Sequence, residues 1–172
     1  MKNTAINTLK YTGIVTLSQY IGTKKFKIAQ QHNAGGSYLF DFLAHSLIGD
    51  FTYAKILKPT KVVVLKRKKT EGNDGYTYIS KSGFITLTTN PEIITDNDKT
   101  RVRYSFIIPK DQVESLVTDD LTGLCLGLYS NAVTDFNELH NYSAICEIGS
   151  VSKNALINSS LVVDWELVIS NI

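Results

Sequence analysis

Alternation of apolar and polar residues with a period of two is the feature that most constrains this chain. Residues 101–108 (RVRYSFII) and 161–169 (LVVDWELVI) show it most clearly. Successive side chains of a β-strand point to opposite faces, so each stretch predicts a strand with one buried and one solvated face. The predicted buried sets are Val102, Tyr104, Phe106 and Ile108, then Leu161, Val163, Trp165, Leu167 and Ile169; the opposing polar residues are Arg101, Arg103, Ser105, Asp164 and Glu166.

Shorter runs rich in β-branched and aromatic residues repeat this signal. Residues 24–31 set Phe26 and Ile28 against Lys25 and Lys27. With YTGIVTLSQY, KVVVLK, YTYIS, GFITLT, LCLGLY and SAICEI, the chain holds about nine predicted strands. Short turns and few helices between them favour an antiparallel sheet. We therefore predict a mainly β fold, an antiparallel β-sandwich of jelly-roll-like form, as a single domain over residues 1–172.

Turn residues separate several of these strands. Asp74 and Gly75 lie between KVVVLKRKK and YTYIS, and this pair is typical of a two-residue hairpin because both positions tolerate a positive φ. Residues 80–83 (SKSG) and 97–99 (NDK) are weaker signals of the same kind.

A helix is predicted near residues 37–48. Ser37 is placed to cap its start, Asp41 suits the first turn, and Gly49 suits the end. A second short helix is expected after Pro109, because proline fits the first turn of a helix. The apolar residues with helical spacing, which we expect to pack on the sandwich or close one end of it, are Leu39, Phe40, Leu43, Leu47 and Ile48.

Charge and targeting signals exclude some classes of function. Eighteen Lys and Arg against sixteen Asp and Glu give a formal charge of +2, which argues against direct nucleic-acid binding. The first twenty residues lack the apolar run of a secretory signal, and no apolar stretch is long enough for a membrane span. We expect synthesis in the cytoplasm and no membrane partner.

The two cysteines, Cys125 and Cys146, each lie within an apolar run. The first interpretation is a pair of buried free thiols, since a free cysteine behaves as a small apolar side chain. A disulfide between neighbouring strands is the alternative.

Two glycines, Gly35 and Gly36, precede the predicted helix, where phosphate is often held. Neither the dinucleotide-binding spacing nor the P-loop spacing of glycines is present. The glycines therefore favour a sharp turn from strand into helix, and we predict no cofactor.

The three histidines suggest no metal or catalytic site. His45 lies four residues after Asp41 on the predicted helix, a spacing that suits a polar pair. His140 follows a loop in which Asp135, Asn137 and Glu138 offer oxygen atoms, but the pattern does not fit a calcium loop. Because the sequence motifs of serine nucleophiles are also lacking, we predict no catalytic, metal or cofactor-binding residue.

The basic run Lys66 to Lys69 and the nine tyrosines are the remaining candidates for a binding surface. The run lacks interleaved aromatic residues for stacking on bases, so we interpret it as a charged hairpin that keeps an edge from pairing. Tyrosines on an outer face would suit a protein or glycan interface, whereas inward ones would fill the core. The tyrosines in or beside strands are Tyr76, Tyr78, Tyr104, Tyr129 and Tyr142.

The order of these segments resembles that of small virion structural proteins of tailed bacteriophages. The segments are an N-terminal strand, HNAGGSYLFDFLAHSLIGDF, KVVVL, RVRYSFIIP, LCLGLYSN, NYSAICEI and a final VVDWELVISN with the form V-x-W-x-L-x-I-x-N. The resemblance implies a β-sandwich subunit present in several copies on the capsid, the head–tail connector or the tail, without catalytic residues.

The expected function is therefore that of a non-enzymatic virion subunit, a homo-oligomer that docks on other virion proteins through sheet edges and apolar patches. A carbohydrate- or receptor-binding module is the first alternative, and it requires solvent-facing aromatic residues grouped in one place. A small hydrolase is the second, and it requires a pocket that joins His45 or His140 to a nucleophile or to paired acids.

Overall fold

The structure, a computed structural model, describes residues 9–72, 75–96, 99–117, 124–149, 151 and 159–171. The strands within these ranges are β1 (Leu9–Ile21), β2 (Lys24–Gly35), β3 (Pro59–Lys69), β4 (Tyr76–Ser80), β5 (Ile85–Thr86), β6 (Glu92–Asp96), β7 (Lys99–Ile108), β8 (Leu124–Ser130), β9 (Ala144–Ile148) and β10 (Leu161–Asn171). The helices are α1 (Ser37–Leu47), α2 (Phe51–Leu57) and α3 (Lys110–Val117), with a 3-10 turn at Phe136–Glu138.

Every pair of neighbouring strands is antiparallel, and the hydrogen-bonded order is β4-β3-β8-β9-β2-β1-β10-β7-β6. Strand β2 joins two groups, because it pairs with β1 along most of its length and with β9 only through Ala34 and Gly35. The short β5 pairs with β3, and Leu87 just after it bridges to Phe106 of β7. The predicted mainly β, antiparallel fold is confirmed, with one strand more than expected among the described residues.

One core of buried side chains draws on both strand groups. Trp165 is fully buried, and its cross-strand neighbours Val15 and Tyr104 are buried beside it. The predicted inward sets of β7 and β10 belong to this core, with Val102 only partly buried and the side chain of Ile169 outside the described part of the chain. The predicted inward residues are therefore confirmed, but the prediction of a solvated opposite face is wrong for β10, where Val162, Asp164 and Val168 are buried as well.

The opposite face of β7 and β10 carries the predicted polar residues in a charged network. The Arg103 guanidinium donates to Glu166 Oε1 at 2.9 and 2.7 Å, and Arg101 approaches the other carboxylate oxygen at 3.5 Å. Asp164 is nearly buried, yet it accepts hydrogen bonds from Ser105 Oγ at 2.7 Å and from Lys25 Nζ. The carboxylates of this face thus have cationic or hydroxyl partners within one chain.

The prediction that Phe26 is buried beside Ile28 is wrong for Phe26. Ile28 packs against the core, but Phe26 is 47% exposed. Tyr20 and Ile21, at the same end of the β1–β2 hairpin, are exposed as well. The register shifts between Leu17 and Ser18, so this end does not continue the alternation of the rest of the hairpin.

The hairpin between β3 and β4 forms as predicted, but not through a two-residue turn. Lys69 pairs with Tyr76, so the connection spans residues 70–75, and Gly72 has the positive φ of 75°. The Thr70 amide donates to the Gly75 carbonyl at 3.1 Å, while Asp74 lies outside the described residues. Two-residue connections lie instead between β1 and β2, where Ile21 pairs with Lys24, and between β6 and β7.

Between β6 and β7, Asp96 pairs with Lys99, which leaves only residues 97–98 between the two strands. This spacing is that of a two-residue hairpin, and those two residues lie outside the described ranges.

The helix predicted near residues 37–48 is α1, but its capping differs from the prediction. Gly36 occupies the N-cap, so Ser37 is the first helical residue, and Asp41 lies beyond the first turn. Gly49 follows the helix with a φ of 80°, as predicted for its end. Helix α3 begins after Pro109, also as predicted.

Helix α2 was not predicted. Its start is capped by Asp50, whose side chain accepts a hydrogen bond from the Tyr53 amide at 3.2 Å. The seven residues of α2 are too few to show a helical period clearly in the sequence.

Both cysteines are free thiols, as in the first interpretation, but only Cys146 is buried, whereas Cys125 is partly buried. Cys146 lies opposite Leu126 and faces the core, whereas Cys125 lies opposite Glu147 and packs with residues on the other side of the sheet. Because the two side chains leave neighbouring strands on opposite faces, a disulfide between them is not possible without rearrangement.

We expect both thiols to react slowly in the folded protein. Burial raises the pKa of each to about 12, so the thiolate that attacks a disulfide reagent is nearly absent at pH 8. Ellman's reagent at pH 8 should react at least about 100-fold faster in guanidinium than in buffer, reflecting the pKa of about 8.5 of an exposed thiol. Fast native labelling, or fewer than two thiols after unfolding, would contradict this placement.

Candidate functional site

Helix α1 carries both buried and exposed apolar residues. Leu39 is fully buried and Leu43 packs on the core, as predicted. Phe40, Leu47 and Ile48 were predicted to join them, but they are exposed, Leu47 at 81% and Ile48 at 78%. Phe40 lies about 100° around the helix axis from Leu39, and Leu47 and Ile48 lie at the C-terminal end of the helix, so helical spacing alone does not show which residues are covered. An apolar stripe with no covering partner in one chain is uncommon for a surface helix.

Helix α2 extends this stripe. Ala54 and Leu57 are buried, while Phe51 is 71% exposed just after the turn at Gly49. We call the exposed set the apolar helix surface; it consists of Phe40, Leu47, Ile48, Phe51, Tyr53 and Ile56. With about 150–250 Å² for a whole aromatic side chain, these six residues expose on the order of 600 Å². This is the upper end of the largest apolar patches on monomers, about 300–600 Å².

The turn between α1 and α2 is held by His45. Its Nδ1 lies 3.0 Å from Asp50 Oδ2, and its ring lies 4.3 Å from that of Tyr53. The prediction that His45 pairs with Asp41 is therefore wrong. His45 pairs with Asp50 instead, because the chain turns at Gly49. His45 has a structural place in the helix pair.

A second candidate is a pocket of about 520 Å³ between the β3–β4 hairpin and the loop that follows β8. We call it the aromatic pocket. Its lining residues are Tyr76, Thr77, Tyr78, Phe136, Asn137, Leu139, His140 and Tyr142. Four of these are aromatic rings of Tyr or Phe, so the predicted hallmark of a glycan or protein interface, grouped outward aromatic residues, is present here.

Phe136 forms the side of the pocket contributed by the 3-10 turn. Its ring stacks on Phe84, with centroids 4.6 Å apart and planes at 12°, and Lys61 Nζ lies 4.3 Å from the Phe84 centroid. Phe136 is nevertheless 44% exposed and lines the pocket. One face of the ring is therefore supported by the fold while the side chain stays accessible.

Tyr76 and Tyr78 form the opposite side and lie beside the basic run. The strand register pairs Arg67 with Tyr78 and Lys69 with Tyr76. The Arg67 guanidinium lies 3.4 Å from the Tyr76 centroid and donates to both oxygens of Glu147, at 2.8 and 3.0 Å. The basic run Lys66 to Lys69 thus has aromatic neighbours on β4, although β3 itself supplies none within the run. The charge of its one arginine, Arg67, is paired with that of Glu147.

The oxygen atoms predicted between Asp135 and His140 cap the 3-10 turn. Asp135 accepts a hydrogen bond from the Asn137 amide at 2.8 Å, and Glu138 accepts from the Thr134 and Asp135 amides at 3.0 and 3.3 Å. This is a capping box, a spacing of an acceptor and a glutamate that the sequence shows at 135–138. Among the described residues, no group of three His, Cys, Asp or Glu could hold a metal ion.

Tyr129 fixes the floor of the aromatic pocket. Its hydroxyl, fully buried, donates to the Leu139 carbonyl at 3.0 Å, and burial raises its pKa. Leu139 and Tyr129 pack with Val63, Leu65 and other residues in a second apolar cluster on this side of the sheet. The loop is therefore held from below by both a hydrogen bond and packing.

Gly36 brings the start of α1 against the same loop. Its amide donates to the Ser143 carbonyl at 2.7 Å, and a Cβ at this position would lie 2.2 Å from the Tyr142 carbonyl oxygen. Its φ of −104° is open to any residue. At the predicted sharp turn the backbone of Gly36 thus lies close to the backbone of Tyr142, and only glycine fits there without movement of the neighbouring chain.

A further cavity, of about 350 Å³, lies between α1 and the β6–β7 hairpin. Apolar side chains including Phe42, Leu43 and Ile93 line most of it. His45 lines neither this cavity nor the aromatic pocket, and the described residues lining the pocket around His140 include no acid or cysteine.

Comparison with protein-family models, with curated proteins and with solved structures gave no match. In the part of the chain that the structure describes, no helix has the length and apolar character needed to cross a membrane.

Replacing Tyr129 by Phe should destabilise the protein by about 1–2 kcal/mol, because it leaves the buried Leu139 carbonyl without a donor. Urea unfolding of this variant measures the loss. Tyr53→Phe, which removes an exposed hydroxyl, is the matched control and should change the free energy of unfolding by less than about 0.5 kcal/mol. Equal effects in the two variants would show that the Tyr129 bond does not hold the loop.

Proposed function

We propose that the protein is a non-enzymatic structural subunit that works by associating with further copies of itself. The resemblance of its segments to tailed-phage virion proteins suggests the setting, a capsid, head–tail connector or tail in which it also docks on other virion proteins. The observation that carries the proposal is the apolar helix surface, in which Leu47, Ile48 and Phe51 are each more than two-thirds exposed.

The size of this surface suits contact between two copies. On the order of 600 Å² from each copy gives roughly 1,200 Å² in total, the lower limit for specific, stable interfaces. The apolar residues surround the turn between two helices that Asp50 and His45 hold in place. Little ordering would therefore be needed on association, which lowers its entropic cost.

The charge of the surface also supports contact with a second copy. Within residues 37–57, all of which the structure describes, the charged side chains that reach the surface are Asp41, Asp50 and Lys55, and Asp50 is paired with His45. A contact through this surface would therefore enclose few charges beside its apolar residues. Isologous contacts of this kind are the commonest form of homo-oligomer interface.

Sheet edges offer a second means of assembly. Strand β6 ends the described strand order, and Ile93 on it is 75% exposed. An unpaired edge can add a strand from a neighbouring subunit, as in many assembled β proteins.

Light scattering after size exclusion tests the proposal with three proteins: wild type, Leu47→Glu and Ile21→Glu. Wild type should show a mass that rises with concentration to a multiple of the chain mass. Leu47→Glu should remain monomeric, because a carboxylate at this exposed site would have to be buried in the contact. Ile21→Glu changes an equally apolar exposed residue on the β1–β2 hairpin and should associate like wild type.

A monomeric wild type at all concentrations, or equal loss of association in both variants, would contradict self-association through α1 and α2. The virion setting has a separate test in the genes that flank this one. We expect portal, capsid or tail genes there, and neighbours of another class would contradict the setting without bearing on self-association.

A further inference from the structure

We propose that the aromatic pocket binds an uncharged sugar residue. This goes beyond assembly and uses different residues, the ring faces of Phe136 and Tyr76 and the polar groups between them. It adds a receptor- or glycan-binding activity to the structural role.

The first argument is the disposition of the aromatic rings. A sugar ring offers C–H groups on its faces, which carry a slight positive charge, and the face of an aromatic ring is negative. Phe136 rests on Phe84 on one face, and Tyr76 is covered on one face by Arg67. Both remain nearly half exposed and line the pocket, so each has ring surface left for a ligand.

The second argument is the kind of polar group in the pocket. Sugar hydroxyls donate and accept, and the Asn137 amide, the His140 ring and the tyrosine hydroxyls do both. Asn137 and His140 are exposed and line the pocket, and the hydrogen bond of Asn137 to the capping Asp135 uses its backbone amide. An aromatic lining with a few convergent polar groups is the usual composition of a small-molecule site.

The third argument is the rigidity of the walls. The capping box fixes the 3-10 turn that carries Phe136 and Asn137, and the Tyr129 hydroxyl fixes Leu139 beneath it. Tyr78 and Tyr142 meet edge to face, with centroids 6.0 Å apart. A preformed site spends little binding energy on ordering itself.

Charge decides between a neutral sugar and a phosphate-bearing ligand. Among the described residues that line the pocket there is no lysine, arginine or acid. The neighbouring Arg67 is paired with both oxygens of Glu147 and stacked on Tyr76, so it is not free to neutralise a phosphate. Without paired carboxylates the described lining also lacks the groups that hydrolyse a glycosidic bond, which favours binding. A volume of about 520 Å³ lies within the range of small-ligand sites, about 300–1,000 Å³.

Saturation-transfer NMR on the whole chain tests this with a panel of methyl glycosides of common neutral hexoses, 6-deoxyhexoses and N-acetylhexosamines. At least one probe should receive saturation, strongest at the C–H protons of one ring face. Phe136→Ala and Asn137→Ala should each weaken its binding about tenfold or more. Phe26→Ala, a change of an exposed phenylalanine on the β1–β2 hairpin, is the matched control and should bind like wild type.

Amide spectra of each variant establish that it is folded, and Asn137→Ala keeps every backbone contact of the loop if Phe136→Ala does not fold. No transfer to any probe, equal binding by the folded pocket variants and wild type, or transfer to uridine monophosphate in place of the sugars would overturn the proposal. None of these outcomes depends on the oligomeric state, so failure of the assembly proposal is distinguishable.

Discussion

The burial of a core shared by two strand groups is the constraint on which the rest of the structure depends. Trp165, Tyr104 and Phe106 belong to a buried cluster that also includes Val62 and Leu126 of the second group. Strand β2 joins the groups at one place and the contact from Leu87 to Phe106 links them at another. The inward-facing side chains are therefore occupied in packing the core, so a binding function must use the side chains that face outward.

The outward-facing surfaces differ in how many of their side chains have partners within one chain. The polar face of β7 and β10 pairs its carboxylates internally, through Arg103 and Lys25 among others. The aromatic pocket is rigid but open, and on the apolar helix surface Leu47, Ile48 and Phe51 remain more than two-thirds exposed. Burying an exposed apolar surface in a contact gains about 25 cal/mol per Å² before the costs of association, so the helix surface has the most to gain from a partner.

Much of the fold could be predicted from the sequence, because a period of two is local information. It identified the inward residues of β10, and the spacing around Leu39 identified α1. Local patterns could not separate Phe40 and Leu47 from Leu39, since all three fit the helical spacing, and only the packing shows which of them is covered. The 3-10 turn was readable as the acceptor and glutamate spacing of Asp135 and Glu138.

The aromatic pocket was missed because its two sides lie far apart in sequence. The hairpin signal could have placed Tyr78 beside Arg67, but nothing local brings Phe136 to Tyr76. Assembly through α1 and α2 remains the central claim, and NMR spectra at increasing protein concentration test it most directly. The account predicts shifts or broadening centred on Leu47, Ile48 and Phe51. Spectra that do not change with concentration, or changes centred on another surface, would contradict it.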